Sequence, residues 1–264
     1  MSNITKLRDN LAKGDLILCM ALLQARTPDI PLMAAACGFD AIYVDMEHSP
    51  ASFETASMLA IAARGAGIHA IARVPSHQAH DATRLLDGGA SGLLFPHVNS
   101  AAEATEIVRS CCFPPRGTRS MIGATPSLGY RSMKARDQMR ALEDQLFIIA
   151  MVETPEGVAN ADAIAAVDGI DMVLVGTADL SATLGIPADF TNPRIADCVK
   201  QVSEACQKNK KYFGIGGIRN NHQLHSEFMN LGTSFIIAGS DSGYLLQAAS
   251  ADADALRGLW HTRS

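Results

Sequence analysis

The sequence predicts a (β/α)8 (TIM) barrel of the α/β class, and three observations carry that prediction. Eight short apolar runs recur along the 264 residues, and a parallel strand covered on both faces is written as such a run. Ala-rich segments of helical period lie between them, as crossover connections between parallel strands require. The first run leads into "ALLQARTPDI", which contains no glycine, so the fingerprint of an open dinucleotide-binding sheet is missing. Eight strand-helix units in about 250 residues match the size of a closed barrel.

Taken in order, the predicted strands are "LILCMAL" (16–22), "AIYVDM" (41–46), "HAIARV" (69–74), "GLLFP" (92–96), "LFIIAMVE" (146–153), "DMVLVG" (171–176), "KYFGIGG" (211–217) and "SFIIAG" (234–239). A helix precedes the first of them. Between the strands lie "SFETASMLAIAARGA", "SAAEATEIVRSC", "PEGVANADAIAAV", "NPRIADCVKQVSEACQKN" and "NHQLHSEFMNLG". These open on Ser, Asn or Pro, residues that suit a helix start, and some close near a Gly. The stretch from about 112 to 135 breaks the rhythm; a long loop rich in Gly, Pro and Arg is expected to be a lid or substrate-facing loop.

Composition bounds the rest. Apolar residues make up 48%, charged residues 19%, and the formal net charge is -5, which fits one globular domain over residues 1–264 and disfavours nucleic-acid binding and disorder. The N-terminal "MSNITKLRDNLAKGD" lacks a signal-peptide pattern, and no apolar run approaches the roughly 20 residues of a membrane span. A cytoplasmic protein is expected. The six cysteines show no CxxC spacing and are read as reduced, partly buried thiols.

In a barrel of this kind chemistry gathers at the carboxyl ends of the strands. The second strand ends in Asp45, Glu47 and His48; the third delivers Arg73; the fifth ends in Glu153; the sixth is followed by Asp179. Desolvating such groups is costly unless they are paired, coordinated or functional. Glu153 and Asp179, on neighbouring strands, suit Mg2+ or a similar divalent ion, which binds through one or two carboxylates and retains water. Helix capping competes for Asp179. The amides of Gly176, Thr177, Ala178 and Asp179 open a helix and suit a substrate carboxylate.

Arg73 offers a fork of donors to a carboxylate or a developing enolate oxygen, or else closes the rim as an ion pair. His48 is the proton carrier expected near neutral pH, with Asp45 as its orienting partner. Glu47 either orients metal-bound water or braces the rim. The other seven histidines are read as structural, with His97 in "FPHVNS" the one most open to another role. No lysine falls where a Schiff-base aldolase needs one, so a metal is expected in place of an imine. The glycines of 214–217 and 239–243 are read as tight turns.

The stretches "VDMEHSP", "ARVP", "GLLFPHVNSAAEA", "PPRGTR", "VETPEGVANADAI" and "VGTADLSATLG" together resemble the HpcH/HpaI family of class II, metal-dependent pyruvate aldolases, over about residues 15 to 245. The resemblance implies a (β/α)8 barrel, with Glu153 and Asp179 as ligands of Mg2+, Mn2+ or Co2+, Arg73 at the enolate oxygen and His48 with Asp45 as acid-base dyad. It implies retro-aldol cleavage of a 4-hydroxy-2-oxo acid, such as a 2-keto-3-deoxy sugar acid, to pyruvate and an aldehyde. It also implies a homohexamer, a trimer of dimers that exchange the helix "GYLLQAASADADALRGLW".

Two departures bear on aldehyde choice. Met151 stands where many members carry Gln, and "SMIGATPSLGY" replaces a Gly-rich segment. The rival readings are a citrate-lyase-like enzyme acting on a CoA thioester or dicarboxylic acid, and a non-catalytic barrel that binds an oxo acid.

Overall fold

The computed structural model describes residues 7–263. Its eight strands are β1 (Ile17–Leu22), β2 (Ala41–Asp45), β3 (His69–Arg73), β4 (Gly92–Phe95), β5 (Phe147–Val152), β6 (Met172–Gly176), β7 (Tyr212–Gly216) and β8 (Phe235–Ser240). All pairings are parallel, and the strands close in chain order, with β8 returning to β1. Each apolar run of the sequence became one strand, its ends displaced by no more than one residue. The reason is burial on both faces, which leaves no polar position within a strand to blur its limits.

Twelve helices accompany the strands among the described residues: α1 (Leu7–Ala12), α2 (Ile30–Ala36), α3 (Phe53–Ala66), α4 (Ala79–Asp87), α5 (Ala101–Cys111), α6 (Ala135–Gln145), α7 (Pro155–Ala159), α8 (Ala161–Ala165), α9 (Thr177–Thr183), α10 (Pro193–Lys208), α11 (His222–Asn230) and α12 (Asp241–His261). Their starts are chemically marked. Ser52 accepts from the Thr55 N–H to open α3, and Ser100 with Glu103 forms a capping box on α5. The single helix expected over 155–167 is instead two, because Asn160 leaves helical geometry and donates through Nδ2 to the Asn99 carbonyl at 2.7 Å.

Alternate strand residues divide between two cores. Ile17, Tyr43, Ile71, Leu94, Phe147, Ile149, Met172, Leu174 and Phe235 fill the barrel, while their neighbours pack outward against the helices. The amino-terminal end is stoppered by α1, whose Leu7 and Leu11 join the interior cluster. Arg8 fastens that stopper: its Nε donates to Asp171 Oδ1 at 2.7 Å, and Nη2 donates to Oδ2 at 3.0 Å and to the Leu146 carbonyl.

The segment after α5 corrects an expectation. It is not a lid over this barrel's own rim. Arg119 donates to Asp87 at 2.8 Å at the end of α4, Arg116 reaches Asp168 ahead of β6, and the Phe113 N–H donates to Glu143 at 2.7 Å. All these partners lie at the amino-terminal end. A helix that leaves the carboxyl-terminal rim delivers its own end to the opposite side, so chain emerging from α5 starts far from the rim.

At the other extreme, none of the 21 residues of α12 is buried. Leu245, Leu246, Leu256, Leu259 and Trp260 stand well exposed along it. Its start is firmly held, since Asp241 accepts from the N–H groups of Leu23, Gln24 and Ala25 at 3.1, 2.9 and 2.6 Å. All six cysteines are free thiols. Burial pushes Cys111 and Cys206 up to about 12, which keeps them unreactive. No helix among the described residues is long and apolar enough to cross a membrane.

Candidate active site

Asp45 is the last residue of β2, and its carboxylate turns the chain that follows. Oδ1 accepts from the N–H groups of Glu47 and His48, each at 3.0 Å, a local turn that Asp forms readily. On the neighbouring strand, in register with it, stands Arg73. The guanidinium Nε donates to Asp45 Oδ1 at 3.0 Å and Nη2 donates to Oδ2. Asp45 is 2% and Arg73 7% exposed, so this is a buried two-pronged pair, in which each charge needs the other.

Burial alone would raise the Asp45 pKa. The hydrogen bonds and charge of Arg73, helped by the His48 and Glu47 amides, override it and hold the carboxyl below its ordinary range. The Arg73 carbon also sits 5.6 Å from the centre of the Tyr43 ring, a cation–π contact from beneath. Arg73 therefore makes the rim ion pair that the sequence offered as its second reading.

The expected dyad needs correction on this geometry. Asp45 grips His48 by its main chain, and its carboxylate is taken by Arg73, not by the imidazole. His48 itself is exposed at the mouth. Glu47 turns out to be a junction: Arg73 Nη1 is 2.9 Å from its Oε2, and its Oε1 is 3.0 Å from His97 Nε2. The Oε2 contact is an ion contact without hydrogen-bond geometry, which leaves that buried oxygen with unused acceptor capacity.

His97, read from the sequence as structural but the histidine most open to another role, stands within this rim network. It follows β4 by two positions, at the same rim as Asp45, Arg73 and Glu153, and that placement was the signal available. Its main-chain N–H donates to Glu153 Oε1 at 2.7 Å, and its Nδ1 lies 3.1 Å from the same oxygen. Glu153, 1% exposed, is pushed up to about 7 by burial foremost; the His97 contacts oppose the rise and the charge of Asp179 adds to it.

Asp179 lies half-buried in the first turn of α9, one strand along from Glu153. Between the two is Gly176. A Cβ at that position would meet Glu153 Oε2 at 2.6 Å, so the bare α-carbon makes a cradle for this oxygen. The Thr177 hydroxyl is buried and donates to the Gly216 carbonyl at the end of β7 at 2.8 Å. The first amides of α9 have, like those of any helix start, no partner within the helix.

These residues fit a divalent cation. Glu153 keeps Oε2 on the side of Gly176, Asp179 faces it closely enough to raise its pKa, and both are hard oxygen donors. Among the described residues no three His, Cys, Asp or Glu side chains converge as a complete cage. A two-carboxylate site of this kind suits an ion that fills its remaining positions with water and substrate.

Comparison with known proteins identifies the family. Residues 19–248 match the family model described as HpcH/HpaI aldolase/citrate lyase. A 4-hydroxy-4-methyl-2-oxoglutarate aldolase of Chaetomium globosum is 36% identical, over 94% of this chain and 94% of its own. A 4-hydroxy-2-oxovalerate aldolase of Rhodococcus jostii is 31% identical, over 95% of each chain. The crystal structure of an HpcH/HpaI aldolase from Desulfitobacterium hafniense superposes with a TM-score of 0.90 at 27% identity, over 96% of both chains. The barrel, the rim residues and these similarities converge: the chain belongs to the HpcH/HpaI aldolase/citrate lyase family, a family of carbon–carbon lyases.

Proposed function

We propose that the chain is a class II pyruvate aldolase that reversibly cleaves a 4-hydroxy-2-oxo acid to pyruvate and an aldehyde. The observation that carries this reading is the pair Glu153 and Asp179 on adjacent strand ends, with Glu153 Oε2 cradled at Gly176 and Arg73 on the same rim. Glu153 and Asp179 would hold Mg2+, Mn2+ or Co2+, which supplies Lewis-acid polarisation of the 2-oxo group. The amides of Gly176, Thr177, Ala178 and Asp179 face the substrate carboxylate.

Arg73 directs its remaining donors at the charge that develops on the 2-oxo oxygen as the carbon–carbon bond parts. His48 takes the 4-hydroxyl proton, directly or through water, and returns it in synthesis. Asp45 serves twice, fixing the His48 main chain and aiming Arg73. The exposed apolar residues of α12 support assembly as a homohexamer by helix exchange within a cytoplasmic enzyme. Light scattering should then give a mass near six chains; a monomer would overturn that part.

The test of the chemistry needs no knowledge of the aldehyde. The protein is incubated with pyruvate in D2O and the methyl signal followed by NMR, with Mg2+, Mn2+ or Co2+ and with chelator. Metal-dependent deuterium uptake is expected, and Glu153→Ala should slow it by at least about 100-fold. No exchange with any metal would sink the reading. The 4-hydroxy-4-methyl-2-oxo diacid of the fungal relative's name is the first cleavage substrate to assay.

A further inference from the structure

We infer that His97 is a positioning residue that occupies one oxygen of Glu153 and so leaves only the other, Oε2, to a divalent ion. The inference rests on the aldolase reading for the ion itself, but its argument is the geometry of this chain. One residue meets Glu153 Oε1 twice: the His97 main-chain N–H donates to it at 2.7 Å, and ring Nδ1 lies 3.1 Å from it. The second oxygen points the other way, into the space that Gly176 leaves open toward α9. A carboxylate held in this way presents one oxygen, not two, and presents it in a set direction.

The backbone is bent to make that grip possible. His97 has φ +54°, the left-handed region that non-glycine residues enter rarely and at a cost. Such a conformation persists where its surroundings over-determine it, and here they do. The Pro96 carbonyl lies 2.6 Å from His77 Nε2, the Val98 N–H donates to the Met151 carbonyl at 3.0 Å, and Asn99 Nδ2 donates to the His97 carbonyl at 3.2 Å. The turn is pinned before, at and after His97. Its outcome is that the amide and the imidazole of one residue face the same carboxylate.

The other ring nitrogen completes a chain of contacts. His97 Nε2 is 3.0 Å from Glu47 Oε1, Glu47 Oε2 meets Arg73, and Arg73 is paired to Asp45. Asp45, Arg73, Glu47, His97 and Glu153 thus run without a break across the ends of β2 to β5. His97 is the only link in that series between the Arg73 pair and Glu153, so its loss separates the two halves of the rim. Partners that orient a metal-binding carboxylate typically contribute 10- to 100-fold in metal affinity.

The experiment measures Mn2+ binding directly, by titration calorimetry and by the loss of the free-ion EPR signal, on the full chain of the wild type and of His97→Ala, His97→Asn and His97→Gln. Asn tolerates the left-handed backbone and keeps the main-chain N–H but is too short to reach both carboxylates. Gln restores a long side-chain donor. The expected result is Mn2+ affinity weakened about 10-fold or more in His97→Ala and His97→Asn, with partial recovery in His97→Gln and unchanged circular dichroism. Pyruvate exchange at saturating Mn2+ should retain most of its maximal rate while its metal requirement rises.

Equal Mn2+ affinity in the wild type and in a folded His97→Asn protein would overturn the inference while leaving the aldolase reading intact. If the wild type binds no Mn2+ and exchanges no deuterium, it is the aldolase reading that fails. A purely structural histidine would lower the melting temperature without moving the affinity of the folded protein, and that outcome also counts against the inference. Should His97→Ala not fold, the Asn and Gln variants carry the comparison.

Discussion

The two ends of the barrel use the same ion-pairing chemistry to opposite purpose. At the amino-terminal end Arg8 and Asp171 close on each other, and Asp171 Oδ2 also accepts from the Ile148 N–H at 2.8 Å. Arg119 closes on Asp87, and the buried polar atoms left without partners there are nitrogens and hydroxyls, at Arg64, Arg119, Thr125 and Thr233. At the carboxyl-terminal rim the buried atom left without a hydrogen bond, among the described residues, is a carboxylate oxygen, Glu47 Oε2, which meets Arg73 only as an ion contact, and Glu153 is held in an environment that disfavours its charge. One end has spare donors and is stoppered by leucines; the other has spare acceptors and is open. An end with surplus carboxylate oxygen is the end that takes a cation.

Substitution of the two buried arginines should separate these purposes. Arg73→Ala strands Asp45 as an unpaired buried charge, which costs about 3–5 kcal/mol, and it should also abolish pyruvate exchange. Arg119→Ala, whose partner Asp87 keeps more access to water, should cost about 1–3 kcal/mol and leave exchange intact. Urea unfolding and the deuterium assay on both variants read the contrast. Equal loss of exchange in both would erase the distinction between the ends.

A pH effect of intermediate size belongs to the amino-terminal end. His69 opens β3, and burial, aided by the charge of Arg64, lowers its pKa to about 4. The unfolded chain binds this proton nearer pH 6.5, so the unfolded state holds more protons throughout the interval between. The stabilising contribution is therefore complete above about pH 6.5 and declines as pH falls toward 4, by up to about 3 kcal/mol. A chain carrying His69→Gln should show a flatter stability profile across that window. A profile that stays as steep would assign the acid sensitivity to another group.

How much of this was legible in the sequence depended on whether a feature is local. Strand limits follow from continuous apolar runs such as 146–153, which became β5, and they were read correctly because burial on both faces is written into consecutive residues. The rim position of Asp45, Arg73, Glu153 and Asp179 follows from the same count. Which side chains would meet does not. Asp45 and His48 are close in sequence, yet Asp45 pairs with Arg73 across 28 residues, because strand register outranks sequence proximity once the sheet has closed. The contacts of His97, the histidine left most open to another role, were hidden for a similar reason: its partners lie 50 and 56 residues away, and its left-handed backbone follows no local rule. The loop after α5 was misplaced because its composition suggests a lid, whereas the direction of the preceding helix decides which face it can reach.

Gly176 carries a consequence for how far this chamber can vary. A methyl group at position 176 would lie 2.6 Å from Glu153 Oε2 and 3.1 Å from Met151 Sδ, so nothing larger than hydrogen fits there without a shift of its neighbours. Even alanine there would push the carboxylate aside, so a residue without a side chain at 176 is the condition for Oε2 keeping its direction.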